Sequence, residues 1–427
     1  MVPTRKILII YPHFPPSNLA GVHRPRLFAQ HLPSFGWEPI VLTVHEKFYQ
    51  ETNDDDLVKL LPDGLRVKKV NAFKRIGPIG DIGLRGFLPL YKKAKSLIIT
   101  EKIDFVYIPI PSFYCALLGR LLNNGTGIKY GIDYIDPWVH NFPGSEKIFS
   151  RHWFSTKLAK YLEPIAVKKA SLITGVAEGY YNPVLDRNPH LNLQAITGAM
   201  PYGGEENDHA VAATLQKQPY LFKKDDSKMQ FAYAGAMLPK AYEPLEEIFK
   251  AIAINKNLFD KVEFHFIGTG KLANDLKGFN IRPLAEKYGL WQNIVFEYPK
   301  RIPYFDVIVH LNVSDAVFIL GSTEPHYTPS KVYQAVLSSK PIFAVLHKDS
   351  SAVKVIENTN IGLVLQFNGE SDLASIAQHF AKDFSSFLQF RKTFTPSQVN
   401  QKQFQEFSAY SVTEKLAGLL NQIAYLK

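Results

Sequence analysis

Cysteine is almost absent from this chain: among 427 residues there is one, Cys115. That excludes an intramolecular disulfide and a cysteine-rich zinc site, and it suits a reducing compartment. Long apolar runs are missing as well. No continuously apolar stretch approaches the ~18 residues that a membrane-spanning helix needs. The start, Met1–Arg5 followed by Lys6-Ile7-Leu8-Ile9-Ile10-Tyr11, imitates a signal peptide only superficially, because the run is short and no small-residue cleavage site follows. A cytoplasmic protein is expected. Zinc-finger spacing, an aromatic RNA-binding signature and a long basic arm are lacking too, so nucleic acid is not an expected partner.

What is present describes a globular chain long enough for two domains, 46% hydrophobic and 21% charged. The formal charge of +10 calls for anionic company, a nucleotide or a phospholipid surface. Short apolar runs alternate with helical patterns. Lys6–Tyr11, Glu38–Val44, Leu65–Val70, Phe105–Pro109, Lys129–Ile135 and Leu172–Val176 read as strands, with helices at Arg24–Gly36, Leu88–Thr100, Phe113–Leu122 and Phe149–Lys169. Residues 203–229 are polar and carry opposite charges, as a linker does. The pattern restarts at Gln230–Gly235, with further strands at Val262–Ile267, Ile294–Tyr298, Ala316–Leu320, Pro341–Val345 and Gly362–Leu365. Alternation of this kind implies parallel strands joined by right-handed crossovers.

The predicted class is therefore α/β, with two facing, doubly wound, Rossmann-like domains. Their expected extents are 1–205 and 230–400, joined by a linker at 206–229. A closing amphipathic helix falls within 401–427.

The densest local signal is Tyr327-Thr328-Pro329-Ser330-Lys331-Val332-Tyr333-Gln334, which follows the buried-strand pattern Asp315–Gly321. Pro329 suits a helix entry and Ser330 a cap, so unpaired backbone N–H groups are expected there. Such an end attracts phosphate, and Lys331 adds a positive charge beside it. An ordinary capped helix fits the same residues.

Asn53-Asp54-Asp55-Asp56 holds an Asp-x-Asp string that could suggest a metal. It precedes a short helical pattern, where acidic residues are stabilising without any ion, so Asp54 and Asp56 read as helix caps. Gly268-Thr269-Gly270 lacks the third glycine and the acidic ribose partner of a dinucleotide fingerprint. Phe149–Lys169 mixes Arg151, Lys157, Lys160, Lys168 and Lys169 with Trp153, Phe154 and Tyr161, a composition suited to an anionic membrane interface or to packing on a sheet.

Several segments occur in an order that resembles the GT-B-fold retaining glycosyltransferases, specifically the family 4-like group of bacterial surface polysaccharide synthesis. They are Pro15-Pro16 with Gly21-Val22-His23-Arg24, Asp104–Pro111, Gly131–Trp138 with its Asp136-Pro137-Trp138, and Pro201–Glu206. Phe231–Gly235, His265–Gly270, Pro329-Ser330-Lys331 and the terminal Phe407–Ile423 complete the set. The resemblance implies a glycosyltransferase of hexosyltransferase type. It would move a sugar, with retention of configuration, from a nucleotide-sugar donor to a hydroxyl on a saccharide or lipid-linked saccharide.

From the residues themselves, a cytoplasmic site at the inner face of the membrane is expected, with peripheral contact to anionic lipid, and no cofactor or metal beyond the nucleotide-sugar substrate. Donor contacts would fall on Gly21, Arg24, Gly235, Lys240, Glu324, Ser330, Lys331 and Gln334, with Asp136, His326 and Lys331 as the catalytic set. Gly21 would let the backbone approach a phosphate, and Arg24 would reach the diphosphate. Asp136, at a strand end, would orient the acceptor hydroxyl.

The chain departs from the group's pattern where two glutamates are usual. His326 stands at the sugar-facing position and Gln334 at the ribose position. Glu324 is close enough in sequence to His326 to substitute for the first. Ala236 stands near the group's arginine, leaving Lys240 for the accompanying lysine role. Two alternatives stay open on these departures: a non-catalytic nucleotide-sugar-binding or scaffold protein, and a nucleotide-sugar epimerase of the same fold.

Overall fold

The computed structural model describes residues 5–75, 80–140, 145, 147–270 and 275–425. All but the last residue of the Met1–Arg5 start lies outside them. The chain divides into two compact units, Met1–Tyr202 with Ala409–Lys427, and Gly203–Ser408.

The first unit is a seven-stranded parallel sheet. Its strands are β1 (Arg5–Ile10), β2 (Trp37–Val44), β3 (Arg66–Val70), β4 (Phe105–Ile110), β5 (Tyr130–Tyr134), β6 (Leu172–Gly175) and β7 (Ile196–Ala199). They lie in the order β3-β2-β1-β4-β5-β6-β7. Ile7, Leu8, Ile9 and Ile10 are all fully buried, because helices cover both faces and no residue of a central strand can be polar without a partner. The register sets Ile9 against Val41 on one side and Tyr107 on the other. The order reverses between β1 and β4, so loops leaving their carboxyl ends diverge and leave a crevice where ligands bind in open α/β sheets.

The last helix of the chain, Ala409–Tyr425, belongs to this unit. Val412, Leu416, Leu420 and Ile423 recur at helical spacing and pack with Ile7, Ile9, Phe28 and Trp37. Asn421 Oδ1 accepts from Arg5 Nη1 and Trp37 Nε1, both at 3.1 Å, which fixes the helix in register against the start of β1.

The second unit is a six-stranded parallel sheet, β8 (Met229–Ala234), β9 (Val262–Ile267), β10 (Val295–Tyr298), β11 (Ala316–Leu320), β12 (Ile342–His347) and β13 (Gly362–Phe367). The order is β10-β9-β8-β11-β12-β13, reversing between β8 and β11. One side of its core is a phenylalanine cluster built from Phe231, Phe264, Phe318, Phe343, Phe380, Phe384 and Phe387. The 373–393 helix supplies the last three at i, i+4 and i+7.

Two expected boundaries are corrected. Residues 206–229 are not a free linker. Glu206–Thr214 is a helix of the second unit, capped by Glu205, and buried Asp208 accepts from Tyr304 Oη at 2.7 Å. Phe222 then stacks on His265, with ring centroids 3.9 Å apart. The polar residues face outward while these few point in, so composition alone misled. Residues 401–408 likewise belong to the second unit: Phe404 is buried against Gly204, whose N–H donates to Phe407 O at 2.8 Å.

The Asp54–Asp56 expectation is revised as well. Asp55–Leu60 forms a 3-10 helix, and Asp54 at its N-cap makes no side-chain cap bond. Asp56 instead pairs with Lys59 at 2.7 Å.

Candidate functional site

In the second unit, β8 and β11 bring two distant segments to one edge of the sheet. β8 ends at Ala234, and Gly235 follows with φ +128°, a left-handed conformation that side chains strain to adopt. Its N–H donates to Ile267 O at 2.8 Å, so the turn is held in place. From β11 the chain runs through residues 321–330 into the helix Lys331–Leu337. That loop is pinned on both sides. Ser350 Oγ donates to Tyr327 O at 2.8 Å, Thr328 Oγ1 and Ser351 Oγ are 2.7 Å apart, and Thr323 N–H reaches Lys240 O at 3.1 Å.

Lys331 is the unusual member. The residue as a whole is half-buried, but solvent does not reach its ammonium nitrogen, and among the described residues it has no hydrogen-bond partner. Its Nζ lies 3.5 Å from the Tyr233 ring centroid. A Cβ placed on Gly235 would sit 3.2 Å from that nitrogen, so only glycine leaves the turn open beside it. Burial pushes Lys331 down from its ordinary 10.5 to about 7. The Tyr233 ring face attracts a cation and opposes that fall. A buried cation without a counter-ion is costly in an isolated protein. An anion arriving beside Gly235 would relieve the cost.

Ser330 does not act as the expected cap. Its backbone is already helical, at φ −56° and ψ −23°, and its side chain makes no cap bond. Gln334 lies one turn along the same helix, with Oε1 2.8 Å from His209 Nε2. Burial lowers the pKa of His209, so the ring is neutral at neutral pH and donates this bond from Nε2. One lone pair of the Gln334 oxygen is thus engaged within the protein.

Glu324, His326 and Lys240 form a neighbouring group. His326 is held below its ordinary value, chiefly by burial, with Glu324 opposing the shift and Lys240 adding to it. Lys240, expected to face the diphosphate, pairs with exposed Glu370 at 3.2 Å. An exposed pair of this kind is weak and exchangeable.

The first unit corrects the role of Arg24. Its guanidinium is fully buried and grips Asp133 of β5 through two bonds, Nε–Oδ2 at 2.5 Å and Nη2–Oδ1 at 2.9 Å. Nη1 donates to Pro201 O at 2.8 Å, and Thr174 Oγ1 donates to Asp133 at 2.8 Å. Burial works against the charge, and Asp133 more than restores it. Arg24 is thus a fixed structural cation with every nitrogen in use.

Gly21 also has a reason within the fold: a Cβ there would overlap the Tyr11 hydroxyl. Asp136, after β5, remains exposed, and desolvation by surrounding protein atoms raises it to about 6. Solvent access to the side chain tempers that rise.

Three residues carried no readable signal in sequence. His209 sits in the stretch taken for a linker, and Asp133 is an apparently ordinary strand residue. Glu51 holds His13 Nδ1 at 2.7 Å and accepts from Ser17 Oγ. Burial would raise Glu51, but His13 and Ser17 bring it to about 2.

No family model matches the chain. Probable glycosyltransferase WbjE of Pseudomonas aeruginosa is 29% identical over 193 residues, which are 42% of this chain and 41% of that protein. A glycosyltransferase from Rickettsia africae superposes with a TM-score of 0.62 at 16% identity, covering 99% of each chain. Anabaena HepE, solved with UDP and glucose, superposes with a TM-score of 0.63 at 15% identity, covering 98% of this chain and 100% of its own. The two structural likenesses take in both sheets, and the chain has the GT-B-like fold of glycosyltransferase structures, two Rossmann-like units of seven and six parallel strands.

Proposed function

We propose that this protein is a glycosyltransferase that moves a sugar from a nucleotide-sugar donor to a hydroxyl acceptor, in the synthesis of a cell-surface polysaccharide or glycolipid. The observation that carries the reading is the buried, unpartnered ammonium of Lys331 beside Gly235, at the β8–β11 switch point. A diphosphate is the anion that such a place fits. WbjE is a probable glycosyltransferase and HepE binds UDP, which supports the choice of uridine diphosphate as the first probe.

In this reading the bond between the anomeric carbon and the diphosphate oxygen breaks, and negative charge gathers on the departing nucleotide. The arriving diphosphate draws Lys331 back to its charged form, and the ammonium then stabilises the leaving-group charge where solvent does not reach it. The acceptor hydroxyl bonds to the anomeric carbon and gives its proton to a donor phosphate oxygen. Asp136 is the proposed acceptor of the hydroxyl's hydrogen bond, a role that draws on the order of motifs in the sequence. Gln334 offers its second lone pair to the ribose, and His326 a hydrogen bond to the sugar. Retention of configuration, as in the family 4-like group, belongs to this proposal and draws on the order of motifs in the sequence. So does a lipid-linked saccharide acceptor. The charge on the leaving group is met by Lys331 and, once it exchanges from Glu370, by Lys240, so the reaction as proposed requires no metal.

The test is calorimetric titration with uridine diphosphate, followed by product analysis with a UDP-sugar in the presence of chelator. Binding, with nucleotide released only when acceptor is present, is the expected result. Isomerised donor without acceptor would assign an epimerase instead. Absence of binding to any nucleoside diphosphate would overturn the donor site.

A further inference from the structure

The helix Arg151–Val167 of the first unit has two apolar faces, and only one is covered. Ala159, Glu163, Ala166 and Val167 turn inward and are buried. Ser150 caps the start by accepting from Trp153 N–H at 3.0 Å. On the outside, Phe154, Leu158, Tyr161 and Ile165 are all exposed, Tyr161 by 69%. They recur at i, i+4, i+7 and i+11, and at 3.6 residues per turn they fall within roughly 60° of one another. Ile148 and Phe149 extend the patch at the helix start. Phe149 is 78% exposed and held at φ 66°, an uncommon conformation for a bulky residue, with its ring against Trp153 and Phe154. A continuous exposed apolar stripe of this length marks an interaction surface rather than scattered surface hydrophobics.

The charges around the stripe say what it meets. Arg151 lies on one flank, and Lys157 and Lys168 on the other, all exposed. Lys157 Nζ stands 5.7 Å from the Trp153 ring, its stem lying along the aromatic cluster. The helix has one acid, Glu163, and it is buried and held by Arg187 through bonds of 2.8 and 3.0 Å. The outward face therefore has aromatic and aliphatic residues along its centre, cations on both flanks and no anion. That arrangement matches a helix lying in the interface of a bilayer, with its apolar stripe among the acyl chains and its cations against anionic headgroups. A folded protein partner of matching chemistry would have to present an acidic rim around an apolar groove, whereas an anionic bilayer supplies both along its whole surface.

We propose that the outward face of this helix is a docking surface for an anionic lipid bilayer. The proposal does not depend on the donor site, since docking needs no nucleotide.

Flotation of the full chain with vesicles tests it. The protein is expected to float with vesicles of phosphatidylcholine and phosphatidylglycerol, and to stay behind with phosphatidylcholine alone. Phe154→Ser with Tyr161→Ser alters exposed side chains only, so an unchanged melting temperature is expected with partitioning weakened at least about tenfold. Lys157→Glu with Lys168→Glu should weaken binding to the anionic vesicles by a similar factor or more, and raised salt should do the same to the parent protein. Absence of flotation, or flotation that neither pair of substitutions changes, would overturn the proposal. So would self-association without lipid that the serine variant abolishes, which would assign the face to a second copy of the chain.

Discussion

Arg24 and Lys331 are both buried cations, one in each unit, and their surroundings are opposites. Arg24 is held by both oxygens of Asp133 and by a main-chain carbonyl, with its guanidinium over the Phe28 ring. Lys331 has an aromatic face and a glycine turn, and no acceptor among the described residues. The first arrangement is complete and rigid. The second has no counter-charge from the fold, and under the proposed function a bound anion supplies it. Sequence gives both residues the same description, a basic side chain in the first turn of a helix that follows a strand. What separates a structural cation from a binding one is whether the fold also supplies its carboxylate.

The largest expected effect tests the complete half of the comparison. Arg24→Ala would leave Asp133 buried without its partner, and breaking such a pair costs about 3–5 kcal/mol. Urea denaturation should show that loss for Arg24→Ala. The joint change Arg24→Met with Asp133→Leu should recover much of it, because no charge is then stranded. If Arg24→Ala kept full stability and weakened diphosphate binding instead, Arg24 would belong to the donor site and the contrast would fail.

Lys331→Met comes next, and here the signs are reversed. Losing the ammonium should weaken nucleoside diphosphate binding by about tenfold or more, a charge-assisted bond being worth roughly 1.5–3 kcal/mol. The unliganded protein should become more stable near neutral pH, since a desolvated cation is gone. The pH dependence follows from linkage. With its folded value near 7 against an ordinary 10.5, Lys331 is neutral in the fold and charged in the unfolded chain across that window. Stability of the parent protein should rise with pH from about 7 towards 10, by up to roughly 1.4 kcal/mol per unit, less whatever Tyr233 restores to the charged form. Diphosphate affinity should run the other way, strongest below about pH 7 and falling above it. Lys331→Met should flatten both profiles, and retention of either slope would assign it to another group.

How much of this could be read in advance depends on the range of the interaction. Runs such as Ile7–Tyr11 and Ala316–Leu320 announce strands because burial on both faces leaves them uniformly apolar. β7, Ile196–Ala199, gives no such run: it is short and contains a glycine. The entry to the Lys331–Leu337 helix is local and visible, but Gly235 reaches Lys331 only because β8 and β11 are neighbours. Asp133 lies 109 residues from Arg24, and His209 lies 125 from Gln334. No local pattern encodes either pairing. Asp54 shows the opposite case: its position is capping, but its side chain makes no cap bond.

The His209–Gln334 pair sharpens the comparison at its weakest point, because it is half-buried and neutral. It shows what the fold does when it satisfies a polar group without using charge. Gln334→Glu would put a carboxylate 2.8 Å from the ring nitrogen and draw His209 upward from its present lowered value. His209 gains a partner for its charged form, so the added stability should be present below its unfolded value of about 6.5 and be lost as pH rises through the new folded value. A proton NMR titration of the His209 ring in parent and variant measures it directly. Diphosphate affinity should change little, since under the proposed function Lys331 rather than Gln334 meets the phosphates, while binding of the complete nucleoside should hold or improve through the stronger acceptor. An unmoved His209 titration would mean that the pair does not persist in solution, and Gln334 would then be free to use both lone pairs on a ligand.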